Sequence, residues 1–537
     1  MQFRPAFLFA LVALLALHFA TPCIADYKDD MGFTLLQSEL GANMPTGSGI
    51  VATQGEARAS YGTPLGPYMP NTADPQFSGK TIVKKTPDSV TGYSGHATGV
   101  GQLFYGNTSS LSPGIASIDC YEAGNFLESG FLLTGNPYQP FYNWPSVLSS
   151  PGRVANHSWV GSSDSASEML RRLDFVVEAD EFIQIVAPAN GTTNQPLLIS
   201  SFNAISVGRS DGIHQRGSVA VDSTYTAGRV KPDLVVPMDV TSDAAPLAAS
   251  AAALLVQTGK TPALSTDPRQ RYTTNRNGVR IYNAERSEVV KAALMAGADR
   301  VTHNGSFANI VDYRADPSNQ SANGLDVRYG AGQLNIYNSY HIIAAGEQNS
   351  AEDYPSGQGS IGWYGFDLDP SFGGNGRSNT AGSYYFTADQ NHRMLYASLV
   401  WNIDINGGTW NNFDSTATLY DLDLYLHDVT DLQAPQLVAS STGTGDNTEN
   451  LWVPLTPGRG YRLQVRPGQG QGAFQWDYAL AWRINADQDG TTAVPGVTGY
   501  TFMAGILGIL ALVYREGRKR RKRSATGQAS HYQRFQW

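Results

Sequence analysis

Ser242 stands in GRVKPDLVVPMDVTSDAAPLAASAAALLVQTG, residues 228–259, ahead of a run of alanine and leucine with Pro246 in its first turn and Gly259 at its end. Such a run reads as a buried helix of small residues, against which neighbouring backbone can come close. A serine at its start sits where unpaired N–H groups and the helix dipole favour a developing negative charge. The competing reading of the same position is an ordinary serine cap. His96, in HATGV (96–100), is the second candidate: it opens a run of small residues that is either a helix carrying chemistry or only a turn.

The segment TSDAAP (241–246) resembles the GTSMAAP signature of subtilisin-like serine proteases, and GRVKPDLVVP (228–237) resembles the stretch that precedes it in that family. HATGV then resembles the family's HGTHVAG, which implies that His96 is a general base at the start of a helix. Its neighbours Ala97, Thr98 and Gly99 let that helix pack against the serine helix. APANG (187–191) is similar to the family's AAGN turn and implies Asn190 as an oxyanion donor. NHSWVG (156–161) resembles the substrate-binding strand, so Ser158, Trp159 and Gly161 are expected to bind substrate. YGAGQLNIYNSY (329–340) resembles the segment that closes the domain. In GSGIVATQGEA (47–57) Glu56 occupies the place of the family's aspartate.

The resemblance covers roughly residues 45–345 and implies a triad of Glu56, His96 and Ser242. Ser242 would attack a peptide carbonyl, and His96 would take its proton and return it to the leaving amine. Glu56 would hold the imidazole, while the Asn190 amide and the Ser242 N–H would bind the oxyanion. The order acid, histidine, serine is that of subtilisin. Three positions depart from the family: Glu56 replaces Asp, Val240 replaces the Gly two places before the serine, and Asp243 replaces the following Met. No cofactor is required for such chemistry. An inactive surface or adhesion protein on the same scaffold is the alternative function.

The elements that must position these residues alternate between strand and helix. Strands are expected at 49–56, 114–123, 153–160, 182–188 and 204–208, with helices at 167–180 and 287–298. In the first helix Leu170, Leu173 and Val177 share a face. Alternation of this kind implies an α/β fold, a parallel sheet with helices on both faces. From about 350 to 490 the pattern changes to period two: Leu395, Ala397, Leu399 and Trp401, then Leu422, Leu424 and Leu426, then Tyr461, Leu463 and Val465. This is an antiparallel β-sandwich or jelly roll. It resembles the pre-peptidase C-terminal or P-type domains that follow many secreted proteases. Asp421 and Asp423 flank Leu422 and would share a strand face; structural calcium and a solvated face are the two readings.

The chain has 537 residues and a formal charge of -9, although REGRKRRKR (515–523) is strongly basic. An acidic body argues against nucleic acid as a partner. Residues 1–25 read as a secretory signal with Arg4 before an apolar core, and its removal takes away Cys23 and leaves Cys120 alone. The apolar run 497–514 is long enough to span a bilayer, and the basic cluster after it places the tail inside. That tail resembles a PEP-CTERM-type sorting tail, which implies a sorting enzyme as partner; a plain single-pass anchor is the other reading. The expected organisation is therefore a signal (1–25), a catalytic domain (26–345), a sandwich (350–490), and a linker, membrane helix and tail (491–537). The expected protein is an exported, membrane-tethered serine endopeptidase of the cell envelope or surface, with its catalytic domain outside and protein or peptide substrates. Between the signal and the first strand only about 20 residues remain, too few for the folded inhibitory domain usual in secreted relatives.

Overall fold

The computed structural model describes residues 26–129, 131–132, 152–163, 166–191, 197–302, 317–353, 359–373, 379–408 and 413–486. Seven strands form one parallel sheet: β1 (Val51–Glu56), β2 (Thr81–Lys84), β3 (Ser117–Glu122), β4 (Gly152–His157), β5 (Ile183–Val186), β6 (Ile205–Arg209) and β7 (Leu234–Val236). Their order is β2-β3-β1-β4-β5-β6-β7. The chain leaves β1 toward one edge, then returns past it to build the other side. The direction of winding thus reverses between β1 and β4, where doubly wound sheets open a crevice at the carboxyl ends of their strands.

Strand residues alternate between two cores. Ala52, Ile118, Val154, Ile185 and Val207 join the cluster that contains the long alanine helix. Ala155 and Val186 join the opposite cluster, together with Phe182 and Ala204, which stand just before β5 and β6. Before the sheet come two short helices, α1 (Tyr27–Asp30) and α2 (Phe33–Leu40); Met31 between them and Phe33 and Leu36 of α2 are buried in the first core. The histidine run forms α3 (Gly95–Tyr105), and residues Ala166–Asp180 form α4. The alanine run is α5 (Thr241–Gly259), followed by α6 (Ser287–Gly297) and α7 (Ile336–Ala344). A small hairpin, β8 (Tyr272–Thr274) and β9 (Arg280–Tyr282), precedes α6. Helix α4 buries more than the expected stripe. Met169, Leu173 and Val176 face the sheet, while Leu170 and Phe175 pack on Ile403 and Ile405.

The C-terminal half is a sandwich of two four-stranded antiparallel sheets. One is β10 (Tyr364–Phe372), β19 (Trp476–Asn485), β12 (Met394–Val400) and β17 (Thr448–Pro454) in that order. The other is β11 (Gly382–Thr387), β18 (Gly460–Pro467), β15 (Leu422–Asp428) and β16 (Gln436–Ser441). A further pair, β13 (Asp404–Asn406) and β14 (Thr416–Thr418), covers α4. The expected alternating residues Leu395, Ala397, Leu399, Leu422, Leu424, Leu426, Leu463 and Val465 form the inner core. The second face of the β12 sheet is not solvated, because Phe366, Leu368, Val400, Ala479 and Ala481 belong to the same apolar cluster as α5 and α6. Every residue of β12 is therefore buried.

Asp423 is buried and accepts the Tyr425 hydroxyl at 2.7 Å. Among the described residues no group of three or more His, Cys, Asp or Glu side chains is arranged to hold a metal ion. Cys120 is a buried free thiol in β3. No described helix is long and apolar enough to cross a membrane. The signal (1–25), the apolar run (497–514) and the basic tail lie outside the described residues.

Candidate active site

The site is assembled at the carboxyl ends of β1, β4 and β5 and at the N-termini of α3 and α5. Glu56 is the last residue of β1 and its side chain is only 2% exposed. Its Oε2 lies 3.0 Å from Nδ1 of His96, in the first turn of α3. Ser94 caps that helix by accepting the Ala97 N–H at 3.2 Å, which fixes where His96 begins. The His96 ring is half exposed and reaches a cavity of about 140 Å³. Ser158, Trp159, Val160, Ala187, Asn190 and Ser242 also line it. Six of the seven sequence candidates are thus gathered: Glu56 through His96, the other five in the cavity wall. Gly161 does not line the cavity; its carbonyl accepts the Leu197 N–H.

Ser242 is the second residue of α5, so its N–H is among the first-turn donors that a helix cannot satisfy itself. The residue before the helix, Val240, is extended with φ -138°. That backbone suits a β-branched residue, which explains why glycine is not needed there. Pro246 sits four residues after Ser242 and has no N–H to offer its carbonyl. The Ser158 hydroxyl donates to that carbonyl instead, at 3.0 Å, and in turn accepts from Asn156 Nδ2 at 2.9 Å. Thus Pro246 frees a carbonyl and the end of β4 ties it down.

Asn190 follows β5. Its Oδ1 accepts the Thr241 N–H at 2.9 Å, and the Thr241 hydroxyl donates to the Pro188 carbonyl at 2.7 Å. With the oxygen end committed, the amide NH2 is the end left for a ligand. Thr241 is the threonine of the TSDAAP motif, but its bracing role is seen only in three dimensions.

Two histidines lie near the crevice, and they differ. His157 is fully buried, bonds Gln184 at 2.9 Å, and burial pushes its pKa down to about 4. Its ring fills the space beside Gly55, where a β-carbon would come within 2.7 Å of Nδ1. His96 moves the other way: its hydrogen bond to Glu56 raises its pKa above the usual 6.5, with the charges of Glu56 and Asp243 adding to the rise and partial burial opposing it. Burial raises the Glu56 pKa, while its bonds to His96 and Gln54 oppose that rise. Burial also raises Asp243, against the charge of His96. An exposed imidazole, oriented by a buried carboxylate and sharing a cavity with a helix-start hydroxyl and an amide, is suited to proton transfer and nucleophilic attack at a carbonyl.

No protein-family model and no curated protein matches the chain. Solved structures do. The prenylagaramide maturation protease PagA is 16% identical, with 58% of this chain and 98% of that one covered and a TM-score of 0.35. A serine protease of Aeromonas sobria is 12% identical over 82% of this chain and 89% of that one, with a TM-score of 0.32. MycP1, with its N-terminal propeptide removed, is 12% identical over 58% of this chain and 96% of that one, TM-score 0.32.

Proposed function

We propose that this chain is a subtilisin-like serine endopeptidase that hydrolyses peptide bonds through an acyl-enzyme. Ser242 Oγ attacks the carbonyl carbon, and the proton it loses passes to His96 Nε2. Glu56 holds the other ring nitrogen and stabilises the imidazolium. The tetrahedral oxyanion accepts from the Asn190 NH2 and the Ser242 N–H, each such donor contributing on the order of 3 kcal/mol. Collapse expels the amine, protonated by His96, and water then repeats the sequence on the ester.

The observation that supports this reading most is the 3.0 Å Glu56–His96 contact in a site whose cavity also holds Ser242 and Asn190. The reading includes export and tethering through 497–514, on the strength of the apolar and basic pattern of the sequence. The test is labelling of the full-length protein with a fluorophosphonate probe. The parent protein should label and cleave casein, and Ser242→Ala should do neither while unfolding at the same temperature. Equal labelling of both proteins would rule the assignment out. An unlabelled parent would favour the inactive scaffold.

A further inference from the structure

We propose that Gln54 and Tyr105 form a positioning relay that holds Glu56 in the orientation His96 requires. This inference rests on the peptidase reading above. Gln54 lies two residues before Glu56 on β1, so both side chains leave the same face of the sheet. It is fully buried. Its Nε2 donates to Glu56 Oε1 at 3.0 Å and to the Ala97 carbonyl at 2.8 Å. Its Oε1 accepts the Tyr105 hydroxyl at 2.5 Å. Tyr105 is the last residue of α3, is fully buried and packs its ring against Phe77 and Phe104.

The orientation of the glutamine amide is fixed by its partners. Glu56 and the Ala97 carbonyl are both acceptors, so a flipped amide would set oxygen against oxygen twice. The tyrosine hydroxyl donates to the remaining end. Each carboxylate oxygen of Glu56 then has one partner: Oε1 has Gln54 and Oε2 has His96. Glutamate has one more rotatable bond than aspartate, and its carboxylate needs a second anchor to present one oxygen to the ring. Gln54 supplies that anchor and also links β1 to the first turn of α3, the two elements that carry the acid and the histidine.

Among the described residues, the charged and titratable groups that face this pair are few. Glu56 lies near His96 and Tyr105 of α3 and Cys120 of β3. His96 feels Glu56 and, from the serine segment, Asp243, which in turn feels Asp239. None of these takes the second carboxylate oxygen in place of Gln54.

The experiment compares Gln54→Met, Tyr105→Phe and Glu56→Gln, singly and combined, in the full chain. Gln54→Met should lower kcat on the order of 10- to 100-fold with KM nearly unchanged, and Tyr105→Phe should lower it by a smaller factor. In the Glu56→Gln background Gln54→Met should cost nothing further, because a relay acts only through the carboxylate. Equal losses in both backgrounds, or kcat within twofold of the parent in both relay variants, would overturn the proposal. A second readout does not need turnover. In Ser242→Ala protein at low pH, the His96 Nδ1 proton should resonate far downfield, and Gln54→Met should move or broaden it. An unmoved resonance would also overturn the relay. A parent protein without turnover would count against the peptidase reading alone, and the resonance would still decide the relay.

Discussion

Acidic side chains govern what His96 can do. Glu56 touches it, and Asp243 acts on it through space. Both favour the imidazolium, so the neutral ring that can accept a proton prevails only above a pKa raised from 6.5. The rate kcat/KM should therefore climb with pH through a midpoint above 6.5. Asp243→Asn removes one stabilising charge, so the His96 pKa falls and the acid limb should move to lower pH. A pH–rate profile checks this, and an unmoved or raised midpoint would exclude the coupling. Glu56→Gln should lower kcat by about 10³- to 10⁴-fold, because an amide cannot stabilise the imidazolium; steady-state kinetics with a peptide substrate measures it. Ser242 and His96 stood out through TSDAAP and HATGV, which resemble protease motifs; their places at the start of runs of small residues left a plain cap and a turn open. Gln54 was not, since a polar residue inside a strand carries no sign of its partners. The two-residue spacing puts it on the same strand face as Glu56, but its hydrogen bond to that carboxylate shows only in three dimensions.

Helix α5 illustrates why composition can identify an element before it identifies its contacts. Its alanines are fully buried on every side, against strands β4 to β7 and helices α3 and α7. Small side chains let those neighbours approach, and the one polar residue in its middle is used structurally. The Ser250 hydroxyl accepts the Leu111 N–H at 2.9 Å, while its carbonyl accepts from Ser112 at 2.6 Å. Ser250→Ala should leave a buried N–H unpaired and destabilise the fold by about 1–3 kcal/mol. Urea unfolding measures that loss, and Ser242 labelling under native conditions should be unchanged. The longer strands were legible from their apolar runs, although β4 stops at His157 and the following residues turn to line the cavity. Strands β2 and β7 were not. β2 is an edge strand of four residues, partly exposed, and β7 is three residues set between Pro232 and Pro237. Neither is long enough to show a period.

At the scale of the molecule, the sandwich and the parallel sheet share a core, and the described residues from Asp26 to Ala486 form one compact unit. The sequence pattern of 350–490 could not convey this, because period-two alternation marks the inner face of a sheet and is silent about what covers the outer one. Arg483 of β19 is the polar centre of the junction. It is 1% exposed, lies 3.7 Å from the Tyr396 ring centroid, and donates to the carbonyls of Ala296 and Ala298 at 2.9 and 3.1 Å. Those carbonyls end α6, where a cation complements the helix dipole and satisfies oxygens that have no helical donor. At the other end of α6, Arg286 pairs with Glu181 at 2.7 Å, with Glu288 at 2.8 Å, and with Asp477 of β19. Both ends of one helix are thus tied to one strand of the sandwich. Arg483→Ala should cost on the order of 2–3 kcal/mol through the two lost charge-assisted bonds. Because the core is shared, that cost should fall on both halves together. Hydrogen exchange along a urea series should show the amides of α6 and β19 opening at one denaturant concentration in the parent, and at one lower concentration in the variant. Separate opening of the two elements in the parent protein would mean that the sandwich folds independently of the parallel-sheet half, and the shared core would then not be what couples them.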